Sequence, residues 1–92
     1  MKHINIKVRG KVQGVYFRMT TKAVADQVGA KGFVVNQSDG SVYIEAEGDS
    51  FALDSLLEFC NEGPERAQVD SVKVEEMVDI KGFKNFEILK RI

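Results

Sequence analysis

The stretch Gly10-Lys11-Val12-Gln13-Gly14-Val15-Tyr16-Phe17-Arg18 joins two different periodic patterns and thereby decides the fold. Residues 3–8 before it alternate between apolar and polar side chains, which predicts a half-buried β-strand. After it, side chains suited to a buried face recur at helical spacing: Phe17, Thr21, Val24, Ala25 and Val28. A turn from a strand into a helix exposes backbone N–H groups at the positive end of the helix dipole. That geometry suits an oxyanion, most often a phosphate.

Within this stretch, glycines and an arginine favour phosphate binding. Gly10 and Gly14 can adopt positive φ, so the loop can curl until its amides converge, and Arg18 adds a charged fork of donors. A nucleotide-hydrolase P-loop does not fit, because Val15-Tyr16 stands where Lys and Ser/Thr are required. A cysteine phosphatase does not fit either, because Val12 occupies the position of its nucleophile. We therefore expect a loop that holds a phosphate without attacking it.

The rest of the chain continues the alternation of strands and helices. The first helix should end at Gly29 and be followed by a hairpin of strands 33–36 and 41–47. A second helix should be capped by Asp49 or Ser50 and end at Gly63-Pro64. After it we expect a strand 69–77 and a short strand around Phe86 and Ile88. This order, with one-sided burial in the strands, predicts an α+β fold. Specifically, we expect a ferredoxin-like βαββαβ sandwich. Its antiparallel sheet would carry two helices on one face and a short extra C-terminal strand, in a single domain over residues 1–92.

Composition narrows the class of protein. The 92 residues include 13 basic and 14 acidic ones, and no apolar run approaches the roughly 20 residues of a membrane span. The single cysteine, Cys60, excludes an internal disulfide and favours the cytoplasm, and a monomer is the simplest expectation. Residues 1–22 hold basic but no acidic side chains, which can attract a small anion: Lys2, Lys7, Arg9, Lys11, Arg18 and Lys22. This patch is too small to indicate nucleic acid as the main partner.

The glycine loop resembles the active-site loop of the acylphosphatases, which reads Gly-x-Val-Gln-Gly-Val-x-Phe-Arg. The resemblance continues through Lys31-Gly32-Phe33-Val34-Val35-Asn36, Asp39-Gly40-Ser41-Val42 and Gly48, so it covers essentially the whole chain. The departures are Phe33, where the family usually has Trp, and Ala30, where Leu is common. We interpret both as packing changes. The resemblance implies the ferredoxin-like fold and hydrolysis of acyl phosphates to carboxylate and inorganic phosphate.

The residues and the resemblance together assign expected roles. The phosphate would be bound by the loop amides and one guanidinium, contributed by Gln13, Gly14, Val15, Tyr16, Phe17 and Arg18. Val15 and Phe17 would anchor the loop in the core. By resemblance, Asn36 would hold the attacking water, so Arg18 and Asn36 are the expected catalytic residues. No cofactor and no metal are expected, since the only histidine is His3 and no His/Cys pair has ligand spacing.

Two alternatives remain open at this point. The first is a non-catalytic phosphate- or anion-binding ferredoxin-like module, or a domain of a larger carbamoyl-phosphate-using protein. The second is an RNA-binding module, because Lys31-Gly32-Phe33 matches the start of an RNA-recognition motif that then fails at Val34. For the remaining polar residues we expect His3 to be a solvated strand-end residue and Glu45 and Glu47 to face solvent.

Overall fold

The computed structural model describes residues 1–90, which form two helices and five strands. In chain order these are β1 (Lys2–Lys11), α1 (Phe17–Val28), β2 (Lys31–Asn36), β3 (Val42–Gly48), α2 (Ser50–Glu62), β4 (Gln68–Met77) and β5 (Phe86–Leu89). Each predicted helix and strand is present, with boundaries shifted by a few residues at most. The architecture is the expected ferredoxin-like α+β sandwich. Neither helix is long and apolar enough to cross a membrane.

The sheet has the strand order β4-β1-β3-β2-β5. β1 is antiparallel to both β3 and β4, and β2 is antiparallel to β3. The expectation of an antiparallel sheet is wrong at one edge, because β5 pairs with β2 in parallel, with Val34 opposite Ile88. The reason is the path of residues 78–85, which carry the chain from β4 at one edge to β5 at the other. The chain therefore enters β5 from the same end as it enters β2.

The helices begin and end where the sequence chemistry places them. The Asp49 side chain accepts a hydrogen bond from the N–H of Ala52 and so caps α2. Gly29 ends α1 in the left-handed conformation, with its N–H donating to the carbonyl of Ala25. Buried faces of both helices pack on one face of the sheet around a core that includes Ile6, Val8, Phe17, Ala25, Val34, Ile44, Leu56, Cys60 and Phe86. This packing fixes the direction in which α1 leaves β1.

The opposite face of the sheet carries a buried polar cluster that we did not expect. His3 and Glu47 are each only 1% exposed, and Glu45 is buried as well. Nε2 of His3 lies 2.9 Å from Oε1 of Glu45, and Nδ1 of the same ring lies 2.6 Å from the carbonyl oxygen of Asp79. The predictions that His3 is solvated and that Glu45 and Glu47 face solvent are therefore wrong. The alternation in β3 was correct, but residues 78–85 cover the face on which these side chains lie.

Glu47 is the centre of this cluster. Its carboxylate accepts hydrogen bonds from the backbone N–H groups of Lys81, Gly82 and Phe83. Burial by itself raises the pKa of Glu47, but these N–H groups outweigh burial and hold that pKa below its ordinary value. Phe33 packs on the same face, with its ring 5.9 Å from that of Phe83. One departure from the acylphosphatase pattern therefore lies in the packing of this face.

Candidate active site

The glycine loop lies where β1 ends and α1 begins. Val12, Val15 and Phe17 are buried in the core, as expected for Val15 and Phe17, while Gly14 and Tyr16 between them stay exposed. This alternation anchors the loop at three points and leaves its intervening backbone at the surface. The loop therefore has a fixed shape although no regular secondary structure holds it.

The two glycines of the loop have different roles. Gly14 has φ of 73° with open space around it, as expected for a residue that turns the loop. Gly10, however, lies within β1 at an irregularity in its pairing with β4. A Cβ at Gly10 would collide with the backbone carbonyl of Gln68. Gly10 therefore permits close strand packing, and only Gly14 shapes the loop.

The N-terminus of α1 has no cap from the described residues 1–90. Its N-cap residue is Tyr16, which adopts a left-handed conformation with φ of 65°, and no side chain caps the helix. None of the N–H groups from residues 13–18 donates to a backbone carbonyl in the described residues 1–90. The first turn of α1 also contains no acidic residue. A non-glycine residue in this conformation is strained, and such strain is concentrated at functional sites. Helix N-termini without a cap are sites at which proteins commonly bind anions.

Arg18 follows directly, in the first turn of α1. It is half-buried and lines a cavity of about 390 Å³ together with Gly14, Tyr16 and Phe17. Within residues 1–90 it forms no ion pair, whereas Lys22 one turn later pairs with Asp26 at 2.9 Å. Within residues 1–90, the guanidinium of Arg18 is therefore not paired with a carboxylate on its own helix.

Asn36 reaches the same cavity from the end of β2. Its Oδ1 is buried and has no hydrogen-bond partner within residues 1–90. A buried acceptor without a partner costs about 1–3 kcal/mol, so its retention here needs a reason. Since the amide shares the cavity with Arg18, the fold brings together the two residues that the sequence singled out.

The side chain of Gln13 joins the two halves of the site. Its Nε2 donates to the carbonyls of Gln37 and Ser41, at 2.8 and 2.9 Å. Both carbonyls belong to the turn that follows Asn36, so Gln13 ties the loop to the hairpin. The sequence did not indicate this long-range role of the Gln13 side chain. Gln13 and Val15 do not line the cavity, whereas Val12, Met19 and Ile88 do. No sequence signal indicated that these three residues belong to the site.

Charges around the hairpin tip are largely paired. Asp39 accepts from the hydroxyl and N–H of Ser41 and lies 3.0 Å from Nζ of Lys7 and 3.5 Å from Nη2 of Arg9. The hydroxyl of Ser41, followed by its N–H and by Lys7, holds the pKa of Asp39 well below its ordinary value.

This pairing reduces the positive field expected from residues 1–22. Lys2 and Lys22 also have carboxylate partners, namely Glu76 and Asp26. Only Lys11 and Arg18 of the six basic residues lack an ion pair within the described part of the chain. Both belong to the stretch from Gly10 to Arg18, so the unpaired positive charge of residues 1–22 lies in and beside the loop.

Other reactive side chains are remote or inert. Within residues 1–90, no group of three His, Cys, Asp or Glu side chains is arranged to hold a metal ion. Cys60 is fully buried in α2, and burial raises the pKa of its thiol to about 12, so it stays protonated. Cys60 is therefore part of the hydrophobic core.

The chain is similar to known proteins in both sequence and structure. The sequence model of the acylphosphatase family matches residues 4–88. An acylphosphatase from Thermotoga petrophila is 48% identical over 88 residues, covering 96% of this chain and 97% of the relative. The crystal structure of acylphosphatase from Bacillus subtilis superimposes with a TM-score of 0.94 at 37% identity, covering 97% of this chain and 99% of the other.

A larger protein also contains this fold. The crystal structure of full-length HypF in the phosphate- and nucleotide-bound form matches with a TM-score of 0.90 at 32% identity. That match covers 98% of this chain but only 12% of HypF. The relatives of nearly equal length favour an enzyme over a non-catalytic module. By sequence, fold and loop, the chain belongs to the acylphosphatase family.

Proposed function

We propose that this acylphosphatase hydrolyses acyl phosphates by attack of a water held by Asn36 on a phosphate held by the loop and Arg18. The observation that supports the proposal is that Gly14, Tyr16, Arg18 and Asn36 line the same cavity. The products would be a carboxylate and inorganic phosphate. The phosphorus–oxygen bond to the acyl group breaks, and the water oxygen forms the new bond to phosphorus.

Phosphate binding would use the uncapped N-terminus of α1. Backbone N–H groups of residues 13–18 and the guanidinium of Arg18 supply donors to the phosphoryl oxygens. These donors are held in place before the substrate arrives, because Val12, Val15 and Phe17 anchor the loop in the core. Preorganised donors stabilise the charge of the transition state without reorganising during the reaction.

Asn36 would position the water. Its Oδ1, which has no partner within residues 1–90, would accept a hydrogen bond from the water, and its NH2 group can donate at the same time. The Gln13 bridge keeps the hairpin at a fixed distance from the loop. The leaving carboxylate needs no proton at neutral pH, so no general acid is required. The substrate phosphate itself would accept the proton of the water, and the reaction needs no metal.

We further propose that residues 1–92 act as one domain, as a monomer in the cytoplasm. Both catalytic residues come from one chain, so the cavity is complete without a second copy. The free thiol of Cys60 fits a reducing compartment. Light scattering after gel filtration tests whether the protein is a monomer, and cell fractionation tests whether it is cytoplasmic. A dimer, or the protein in a secreted fraction, would contradict them.

The test is hydrolysis of benzoyl phosphate in EDTA by the wild type, Arg18→Ala and Asn36→Ala. Each variant should lose about 10²- to 10³-fold in kcat/KM, because each removes a donor or positioning group from the transition state. Arg9→Ala and Asn61→Ala are matched controls at exposed positions and should keep the wild-type rate. A folded wild type that binds phosphate but does not turn over would contradict the enzymatic proposal. Full activity in either cavity variant would contradict the role of that residue.

A further inference from the structure

The cavity that contains Arg18 and Asn36 has a second wall of a different chemical character. Three large side chains line it while remaining open to solvent: Tyr16 is 65% exposed, Met19 63% and Ile88 40%. They come from three separate elements, namely the loop, α1 and β5. The lining of the cavity therefore combines the polar groups of Arg18 and Asn36 with these three exposed, largely apolar side chains.

This apolar wall is not explained by core packing. Single exposed apolar side chains are normal on protein surfaces, but several that converge on one concave site indicate a contact with a ligand. Phe51 on α2 is 74% exposed and does not line the cavity, so it represents the ordinary case. Met19 follows directly after Arg18 in α1, which places it on the helix beside the anion donor.

The size and charge of the cavity limit what can occupy it. Its volume of about 390 Å³ exceeds what a phosphate group fills and lies within the usual range of small-molecule pockets, roughly 300–1,000 Å³. Among the described residues that line it, Arg18 is the only charged one. Once a phosphate is bound to Arg18, a second anionic group on the substrate would have no cationic partner there.

We propose that Tyr16, Met19 and Ile88 form an acyl-binding wall, and that the preferred substrates carry an apolar acyl group, aromatic or branched aliphatic. This inference rests on the proposed function, because it assigns the part of the substrate that the phosphate loop leaves free. Acetyl phosphate would contact the wall with a single methyl group. An aromatic acyl group would lie against the phenol ring, the thioether and the isoleucine together.

The wall should contribute mainly to binding of the acyl group. One additional methylene in an apolar enzyme pocket changes kcat/KM by about 10- to 200-fold when it is fully buried. A wall that stays partly open to solvent falls at the lower end of that range. We therefore expect removal of Met19 and Ile88 to lower kcat/KM for benzoyl phosphate by about 10-fold, mostly through KM. Acetyl phosphate should be affected much less.

The experiment measures kcat/KM for benzoyl and acetyl phosphate in the wild type and in the double variant Met19→Ala/Ile88→Ala. For each protein we take the ratio of kcat/KM for benzoyl phosphate to kcat/KM for acetyl phosphate, which removes any effect of a substitution that is common to both substrates. Comparing this ratio between the proteins removes the difference in intrinsic reactivity between the two substrates. Phe51→Ala is the matched control, since it removes an equally exposed apolar side chain elsewhere. Tyr16 is left unchanged because its backbone belongs to the loop.

The expected result is a ratio about 10-fold lower in the double variant and unchanged in the control. An unchanged ratio in a double variant that still hydrolyses both substrates would overturn the acyl-binding wall and leave the proposed function intact. A folded wild type that hydrolyses neither substrate would overturn the proposed function and the wall with it. Far-UV circular dichroism of all proteins separates both outcomes from misfolding.

Discussion

Two loops of this protein gather backbone N–H groups, and they lie at opposite ends of β1. At one end, Lys81, Gly82 and Phe83 donate to the carboxylate of Glu47, whose partner across the sheet is His3 near the start of β1. At the other end, residues 13–18 follow β1 and receive no carboxylate from residues 1–90. The same local chemistry therefore has an internal anion in one place and none in the other.

The difference distinguishes backbone N–H groups that stabilise the fold from those that we propose bind the substrate. Where a cluster of N–H groups is structural, the chain provides its own anion, as Glu47 does for residues 81–83 and Asp49 does for α2. At the loop that we propose binds the substrate phosphate, the first turn of α1 contains no acidic residue. The lack of an acceptor for these N–H groups within residues 1–90 is the feature on which the proposed binding site rests.

The largest effect should come from Glu47→Ala. This change removes the acceptor of three backbone N–H groups and leaves them without a partner in a covered region. We expect a loss of about 3–5 kcal/mol in the free energy of unfolding, measured by urea denaturation. Glu76→Ala is the matched control, because Glu76 is exposed and 3.9 Å from Lys2. A loss no larger than that of the control would contradict the structural role of this cluster.

Acid should reproduce part of that loss. The pKa of Glu47 in the folded protein lies below its ordinary value of 4.5, so its ionised form stabilises the fold above that pH. The stabilisation is lost as pH falls below 4.5 and through the folded-state pKa. Glu47→Gln lacks this titration, so its stability should fall less steeply on acidification. Urea midpoints from neutral pH to about pH 3 test this, and parallel curves would contradict it.

Gln13→Leu should affect catalysis through the geometry of the site. The variant keeps a side chain of similar size but cannot donate to the carbonyls of Gln37 and Ser41. Because the hairpin that carries Asn36 would no longer be held to the loop, we expect kcat to fall by about 10- to 100-fold. Inorganic phosphate should still bind. Gln27→Leu on the exposed side of α1 is the control, and equal rates in both variants would argue against the bridge.

Asp49→Ala should have the smallest effect and only on stability. Loss of the α2 cap should lower the free energy of unfolding by about 1 kcal/mol, since the N–H of Ala52 loses its acceptor. The rate per folded molecule should stay the same. Asp54→Ala, also exposed on α2 but away from the cap, is the control. A loss of activity in Asp49→Ala would show that the capped helix contributes to the site.

The sequence allowed the fold and the main site residues to be predicted because their determinants are local. Alternation in residues 3–8, helical spacing after Phe17 and the position of Arg18 all lie within one short stretch. Asn36 was found through its position at a strand end and through the resemblance to acylphosphatases. For these residues, neighbours in sequence determine the environment.

The errors arose where the environment is set by distant residues. Glu45 and Glu47 alternate correctly in β3, but residues 78–85 cover their face of the sheet, which no local pattern of β3 indicates. The same connection brings the chain into β5 parallel to β2. The bridge from Gln13 to the hairpin spans more than twenty residues of sequence, so no local sequence pattern could indicate it.

The most direct test is a titration of the ¹⁵N-labelled protein with inorganic phosphate, followed by amide chemical shifts. We expect saturable shifts in residues 13–18 and in the side-chain amide of Asn36, with none in Lys81, Gly82 and Phe83. The same titration of Arg18→Ala should require much more phosphate. Saturable shifts in residues 81–83, or no shift in residues 13–18 at phosphate concentrations that inhibit hydrolysis, would contradict the central claim.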